Sequence, residues 1–172
     1  MSKRLALRPE TGRSGEGLAL SPEEREAARL DALEHFDILD SPSEEAFDRI
    51  TRLARKQFDV PTSIVSFIDG HRQWYKSCKG TNTSEVPRGD SFCRYVMAYG
   101  GPLVVPNATH DPRFAQNPYV RTDPGVRFYA GFPLRTNDGH TLGTLCLVDV
   151  KPREFDPDQL ELMSDLAHIV MD

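Results

Sequence analysis

Three cysteines in 172 residues, Cys78, Cys93 and Cys146, make an odd number with no C-x-x-C spacing. That argues against a disulfide framework or a cysteine-built zinc site and points to reduced thiols. Long apolar runs are missing as well. No stretch approaches the roughly 20 residues of a membrane span, and the N-terminus lacks the apolar segment of a signal peptide. A soluble, cytoplasmic chain with no membrane partner is expected. Positive charge is scarce: 21 Lys and Arg face 26 Asp and Glu, for a formal net charge of -5. The cations are scattered, without the basic stripe of a nucleic-acid surface, so no nucleic-acid partner is expected. The densest group, Arg52, Arg55 and Lys56, reads as a solvated helix face. There is no P-loop and no G-x-G-x-x-G, and His35, His71, His110, His140 and His168 lie far apart without metal-ligand spacing. Phosphate chemistry, a metal centre and a Ser-His-Asp triad all lack a pattern to rest on.

What is present is organised around Arg127 to Asp149, RFYAGFPLRTNDGHTLGTLCLVD. Two β-prone runs flank Asp138-Gly139, and a two-residue type I′ turn there predicts a hairpin. The register follows. Phe132 should face Leu145 and Ala130 should face Leu147, with Phe128 and Leu134 on the same side by the period of two. That face is greasy enough to lie under helices. The opposite face carries Tyr129, Gly131, Thr144 and Cys146, mostly too small to fill a layer, so loops or a ligand must complete it.

Elsewhere the chain reads in order. Residues 1–20 have little apolar periodicity and are expected to be a mobile tail. Ser21-Pro22-Glu23-Glu24, Ser41-Pro42-Ser43-Glu44 and Asp156-Pro157-Asp158-Gln159 each pair a cap with a residue able to close a capping box. They predict helices over about 22–36, with Ala27, Leu30 and Leu33 on one stripe, and about 43–58, with Phe47, Ile50, Ala54 and Phe58 inward. The last helix has a broad apolar face of Leu160, Met163, Ala167 and Val170 joined by Leu162, Leu166 and Ile169. A face wider than one domain needs predicts a second partner, the first helix or another copy of the chain. Ser63–Ile68 and Gln73–Lys79 form a second predicted hairpin. The segment from Gly80 to Pro87 reads as a loop, Asp90-Ser91 as the cap of a short helix, and Leu103–Val105 as a short strand. Residues 107–126, anchored by Phe114 and Tyr119, form a long loop of the kind that is usually functional or disordered.

The stretches IVSFIDGHRQWYKS, DSFCRYVM, PLVVPNATHDPRFAQNP, RFYAGFPLRTNDGHTLGTLCLVD and PREFDPDQLELMSDLA, with both N-terminal helices, resemble a GAF domain over residues 22–172. The type is the one found ahead of histidine-kinase or diguanylate-cyclase outputs in bacterial signalling. The resemblance implies an α+β fold: a central antiparallel sheet with N- and C-terminal helices on one face and, on the other, a pocket of loops and short helices. It implies a non-catalytic sensory module over residues 21–172, which binds a small ligand and relays through terminal helices that also form a homodimer. The ligand-binding residues it suggests are Ser91, Phe92, Cys93, Phe114, Tyr129, Gly131, Thr144 and Cys146. An Asn-Lys-Phe-Asp-Glu cyclic-nucleotide signature is missing, and Cys93 is followed by Arg94 rather than the His of bilin-binding relatives. Two alternatives stay open: a constitutive dimerisation module without ligand, and a thiol enzyme like the free methionine-R-sulfoxide reductases. In the latter Cys93, near a helix start, would be the activated thiol. The cofactor, if any, is unassigned.

Overall fold

The computed structural model describes residues 19–172. The tail expected over residues 1–20 lies outside them except for its last two positions. Six strands form one antiparallel sheet: β1 (Thr62–Ile68), β2 (Arg72–Lys79), β3 (Glu85–Pro87), β4 (Leu103–Val105), β5 (Phe128–Arg135) and β6 (Thr141–Asp149). Their spatial order is β3-β2-β1-β6-β5-β4. Helices α1 (Pro22–Phe36), α2 (Glu45–Gln57) and α5 (Pro157–Met171) cover one face, while α3 (Cys93–Tyr99) and α4 (Pro118–Arg121) belong to the other. This is the α+β architecture that the resemblance implied. No helix among the described residues is long and apolar enough to cross a membrane.

The hairpin β5–β6 has the expected register, Ala130 opposite Leu147, Gly131 opposite Cys146 and Phe132 opposite Leu145. Phe128, Ala130, Phe132, Leu134, Leu145 and Leu147 join Val65 and Phe67 against Leu33, Ile50, Ala54, Phe58 and Met163. The turn itself differs. Of the pair Asp138-Gly139 only Gly139 has positive φ, at 93°, and Thr136 and His140 close a three-residue loop. The extra loop residue is compensated where the pairing jumps from Leu134–Gly143 to Arg135–Thr141, leaving Leu142 unopposed and turned into the helix-side core.

The capping boxes at Ser21–Glu24 and Asp156–Gln159 form as expected. The one at Ser41 does not: α2 begins at Glu45 without a side-chain cap. Ser41 Oγ instead donates to the Ile38 carbonyl three residues back and accepts from Lys76 Nζ, a bond from 35 residues away that the local sequence could not announce. In α1 Leu33 is buried and Leu30 half-buried as expected, but Ala27 is exposed and Arg29 is buried in its place. Glu85–Pro87, expected as loop, adds an edge strand to β2, and the 107–126 loop contains α4 and a short 3-10 turn at Ala108–His110. Of the broad apolar face of α5, Met163, Leu166 and Ala167 are buried, and Ile169 is 54 % exposed.

Arg29 explains the rotation of α1. Its Nη1 donates to the Ile68 carbonyl at 2.7 Å, and its other nitrogens hold Glu26, which also accepts from Arg88 at 2.6 Å. This ties α1 to the end of β1 and to the 3-10 turn Arg88–Asp90. The Arg29 hydrogen bond is the strongest influence on the Glu26 carboxyl; burial opposes it and Arg88 reinforces it, leaving a value of about 2 against an ordinary 4.5. A folded-state value below the unfolded one means that ionised Glu26 stabilises the fold above about 4.5, and that this stabilisation is lost as pH falls toward about 2. Urea midpoints measured across that window should fall less steeply for Glu26→Gln than for the wild type. Equal slopes would show that the cluster contributes nothing to acid sensitivity.

Candidate ligand pocket

On the face away from α1, α2 and α5, a cavity of about 300 Å³ opens over β1, β2 and β6. Alternation within the strands supplies its floor: Ile64 from β1, Gln73 and Tyr75 from β2, Cys146 and Val148 from β6, and Tyr129 from β5. Its walls are Ser91, Phe92 and Cys93 at the start of α3 and, across from them, Tyr119, Thr122 and Val126. The Asn117 side chain joins these walls. Its Oδ1 accepts the Tyr119 amide and caps α4, while its Nδ2 donates to the Asp90 carbonyl. A second hollow, about 310 Å³ between Leu30, Leu33 and Ile38, offers only aliphatic groups and carboxylates.

Beneath the cavity lies a buried polar network centred on Cys93. Its Sγ has Gln73 Nε2 at 3.0 Å, Tyr129 OH at 3.0 Å and Thr144 Oγ1 at 2.9 Å. Gln73 bridges further, donating to Ser66 Oγ at 2.9 Å and accepting from Ser91 Oγ at 2.6 Å. Ser91 Oγ in turn accepts the Cys93 amide, so the first amide of α3 is already satisfied. Ser66, Gln73, Ser91, Cys93, Tyr129, Thr144 and Cys146 are all buried, a setting where each bond is electrostatically strong and each missing one costly. Burial pushes the Cys93 thiol up, but hydrogen bonding with Cys146, Thr144, Tyr129 and Ser91 outweighs it and draws the group below its ordinary value. Cys146 moves the opposite way, raised first by its bond to Cys93 and then by burial. Side-chain partners thus act on this thiol in addition to its place near the start of α3.

Five of the eight suggested residues, Ser91, Phe92, Cys93, Tyr129 and Cys146, border the cavity. Three do not. Thr144 lies under the floor as a Cys93 partner. Phe114 stacks on Phe92 with centroids 4.3 Å apart and the planes 6° from parallel, so it backs the wall. Gly131 makes room: a Cβ there would sit 2.6 Å from Tyr129 Cζ, and its absence lets the phenol cross to Cys93. Sequence reasoning missed Gln73, Tyr75 and Asp90. The parity of β2 could have found Gln73 and Tyr75, since Trp74 between them packs with the helix side; Asp90 carried no signal beyond that of a cap. Among the described residues no three His, Cys, Asp or Glu side chains converge to hold a metal.

The family model of the GAF domain matches residues 42–171. The chain belongs to the GAF family. A cyclic di-GMP phosphodiesterase of Pseudomonas aeruginosa is 40% identical over 149 residues, which cover 86% of this chain and 25% of that protein. The chain thus spans a quarter of the length of this curated relative. Among solved structures, the GAF domain of an Acinetobacter phosphoenolpyruvate-protein phosphotransferase superposes with a TM-score of 0.63 at 17% identity, covering 88% of this chain and 92% of that one. A free methionine-R-sulfoxide reductase from Neisseria meningitidis, solved with its substrate, gives 0.61 at 15% identity over 89% and 90% of the two chains. These likenesses carry the GAF fold and not a reaction.

Proposed function

We propose that this GAF domain is a regulatory module that receives a small molecule in the cavity over β1, β2 and β6 and passes its binding to the terminal helices. The observation that carries this reading is the position of the cavity. It is walled by the start of α3 and by the segment around α4, while on the opposite face of the sheet α1 and α5 reach β6 and α2 covers β1 and β2. A ligand contacting both walls then biases the arrangement of helices on the far side, by no more than its differential affinity for the two arrangements. The relationship to a cyclic di-GMP phosphodiesterase supports an output concerned with cyclic di-GMP, which favours the diguanylate-cyclase side of the expected outputs, or its hydrolytic counterpart, over the histidine kinase. Ile169, largely exposed on α5, supports a homodimer through the same helices.

A thermal-shift screen with nucleotides and metabolites tests the reading. A ligand at about 100 times its Kd adds about 2.7 kcal/mol, or roughly 5–10 °C in Tm for a domain of this size. No shift with any compound, together with unaltered output from a Val148→Trp variant that fills the cavity, would leave constitutive dimerisation as the better reading.

The lowered Cys93 thiol in the cavity wall favours a second reading, a thiol reductase acting on a small sulfoxide. It requires thiol-dependent reduction of methionine-R-sulfoxide by the wild type and its loss in Cys93→Ser. The absence of such turnover in the wild type removes it.

A further inference from the structure

We infer that the cavity selects a small organic cation, an ammonium group on an apolar or aromatic body, against nucleotides and carboxylates. The inference rests on the sensory reading above and names the ligand class of the same site.

Charge decides the matter. Among the described residues no Lys, Arg or His lines the cavity, and Asp90 is the one carboxylate that does. The half-buried Asp90 side chain makes no hydrogen bond or ion pair among the described residues; only its backbone carbonyl is engaged, by Asn117. Carboxylates elsewhere in the fold, such as Asp69, Asp111 and Asp149, are held by arginines and backbone amides. The guanidinium groups of Arg88 and Arg127 are not part of the lining. Arg88 serves Glu26 and the Asp69 carbonyl, and Arg127 serves the Val120 and Val126 carbonyls. The first amide of α3 is taken by Ser91. An anion entering here would therefore lose its water without meeting a counter-charge, which is costly in a partly dry site.

The remaining lining favours positive charge. Tyr75, Phe92, Tyr119 and Tyr129 present aromatic rings, whose faces attract ammonium groups, and the Tyr75 and Tyr119 hydroxyls have no partner among the described residues. Burial, followed by the negative charge of Asp90, raises the Tyr119 phenol above its ordinary value, which keeps it a neutral hydrogen-bonding group beside that carboxylate. A volume of about 300 Å³ suits a small molecule of this kind.

Calorimetry on the full chain should compare three probes of matched shape, 2-phenylethylamine, 2-phenylethanol and 3-phenylpropionate, together with cyclic di-GMP. The expected order is the amine tightest, about tenfold over the alcohol, with the carboxylate and cyclic di-GMP not bound. Asp90→Asn should erase the preference of amine over alcohol. Since that carboxylate has no internal partner, the unliganded variant should melt with the wild type, which shows that it folds. Binding of 3-phenylpropionate or cyclic di-GMP as tightly as the amine, or an amine preference that survives Asp90→Asn, overturns the inference while leaving a ligand-binding module. Failure of all four probes also overturns it. A hit in the wider metabolite screen would then preserve the sensory reading, and a silent screen would end both.

Discussion

Gly143→Ala is expected to destabilise the domain by about 3 kcal/mol, lowering Tm by roughly 6–12 °C. Gly143 stands on β6 opposite Phe67 of β1 and Leu134 of β5, at the middle of the sheet. A Cβ there would lie 2.8 Å from Phe67 Cα and would run into the Ser66 carbonyl oxygen. Both obstacles are backbone, so no rotamer change relieves them and β1 must move away from β6. That movement would also part Ile64 from Cys146, paired across the same seam in the cavity floor, so ligand binding should weaken along with stability. Urea or thermal unfolding followed by circular dichroism measures the first effect. Gly89→Ala is the control: a Cβ there meets nothing within 4 Å, and a near-neutral change is expected. Similar losses at the two positions would mean that the close approach of β1 and β6 is not what Gly143 serves.

Lys76→Ala should be the second large effect, about 2–3 kcal/mol. Pairing between β1 and β2 jumps from Val65–Ser77 to Ser66–Tyr75, so Lys76 is a bulged residue. Its side chain is 0% exposed. A buried ammonium is costly unless all three donors are used, and here they are. Nζ donates to Ser41 Oγ and the Pro42 carbonyl at 2.7 Å each and to Glu44 Oε1 at 2.6 Å, and lies 5.2 Å from the Phe47 ring centroid. Glu44 is itself 55% exposed, so the charge pair alone is worth less than a fully buried one. Most of the loss in the alanine variant comes from stranding the Ser41 and Pro42 acceptors and emptying the space beside Phe47. Lys76→Met, which refills that space, should cost roughly half as much. Amide exchange at residues 38–44 should quicken in both variants, because Lys76 pins the α1–α2 connection to the sheet. Unchanged exchange there would show that other contacts hold the connection.

These two residues also mark the limit of what local pattern conveys. The faces of β5 and β6 were legible because a half-buried strand alternates, and a register fixed at one pair propagates to Phe128, Ala130, Phe132, Leu145 and Leu147. The α1 and α5 starts were legible because a capping box spans only four residues. Ser41 carried the same signature and failed, since a buried ammonium from 35 residues away claimed its hydroxyl. Nothing in the local sequence marks Arg29 for burial, yet α1 turns it inward to reach the Ile68 carbonyl. In both cases a polar group found a distant partner stronger than the local pattern.

Of the pocket, the small-residue face of the hairpin was visible from residue size and alternation alone, and so were the segments that would close over it. The sequence by itself determined the sheet faces, the starts of α1 and α5 and, through the stretches that match the family, GAF membership, because these depend on periodicity and on contacts a few residues apart. Tertiary structure alone decided that Cys93 sits over Gln73, Tyr129 and Thr144, that Asp90 finds no partner among the described residues on an aromatic cavity, and that Gly143 must lack a side chain. Each of those outcomes depends on atoms brought together from strands and loops far apart in the chain, where only the folded packing sets which donor meets which acceptor and which charge meets none.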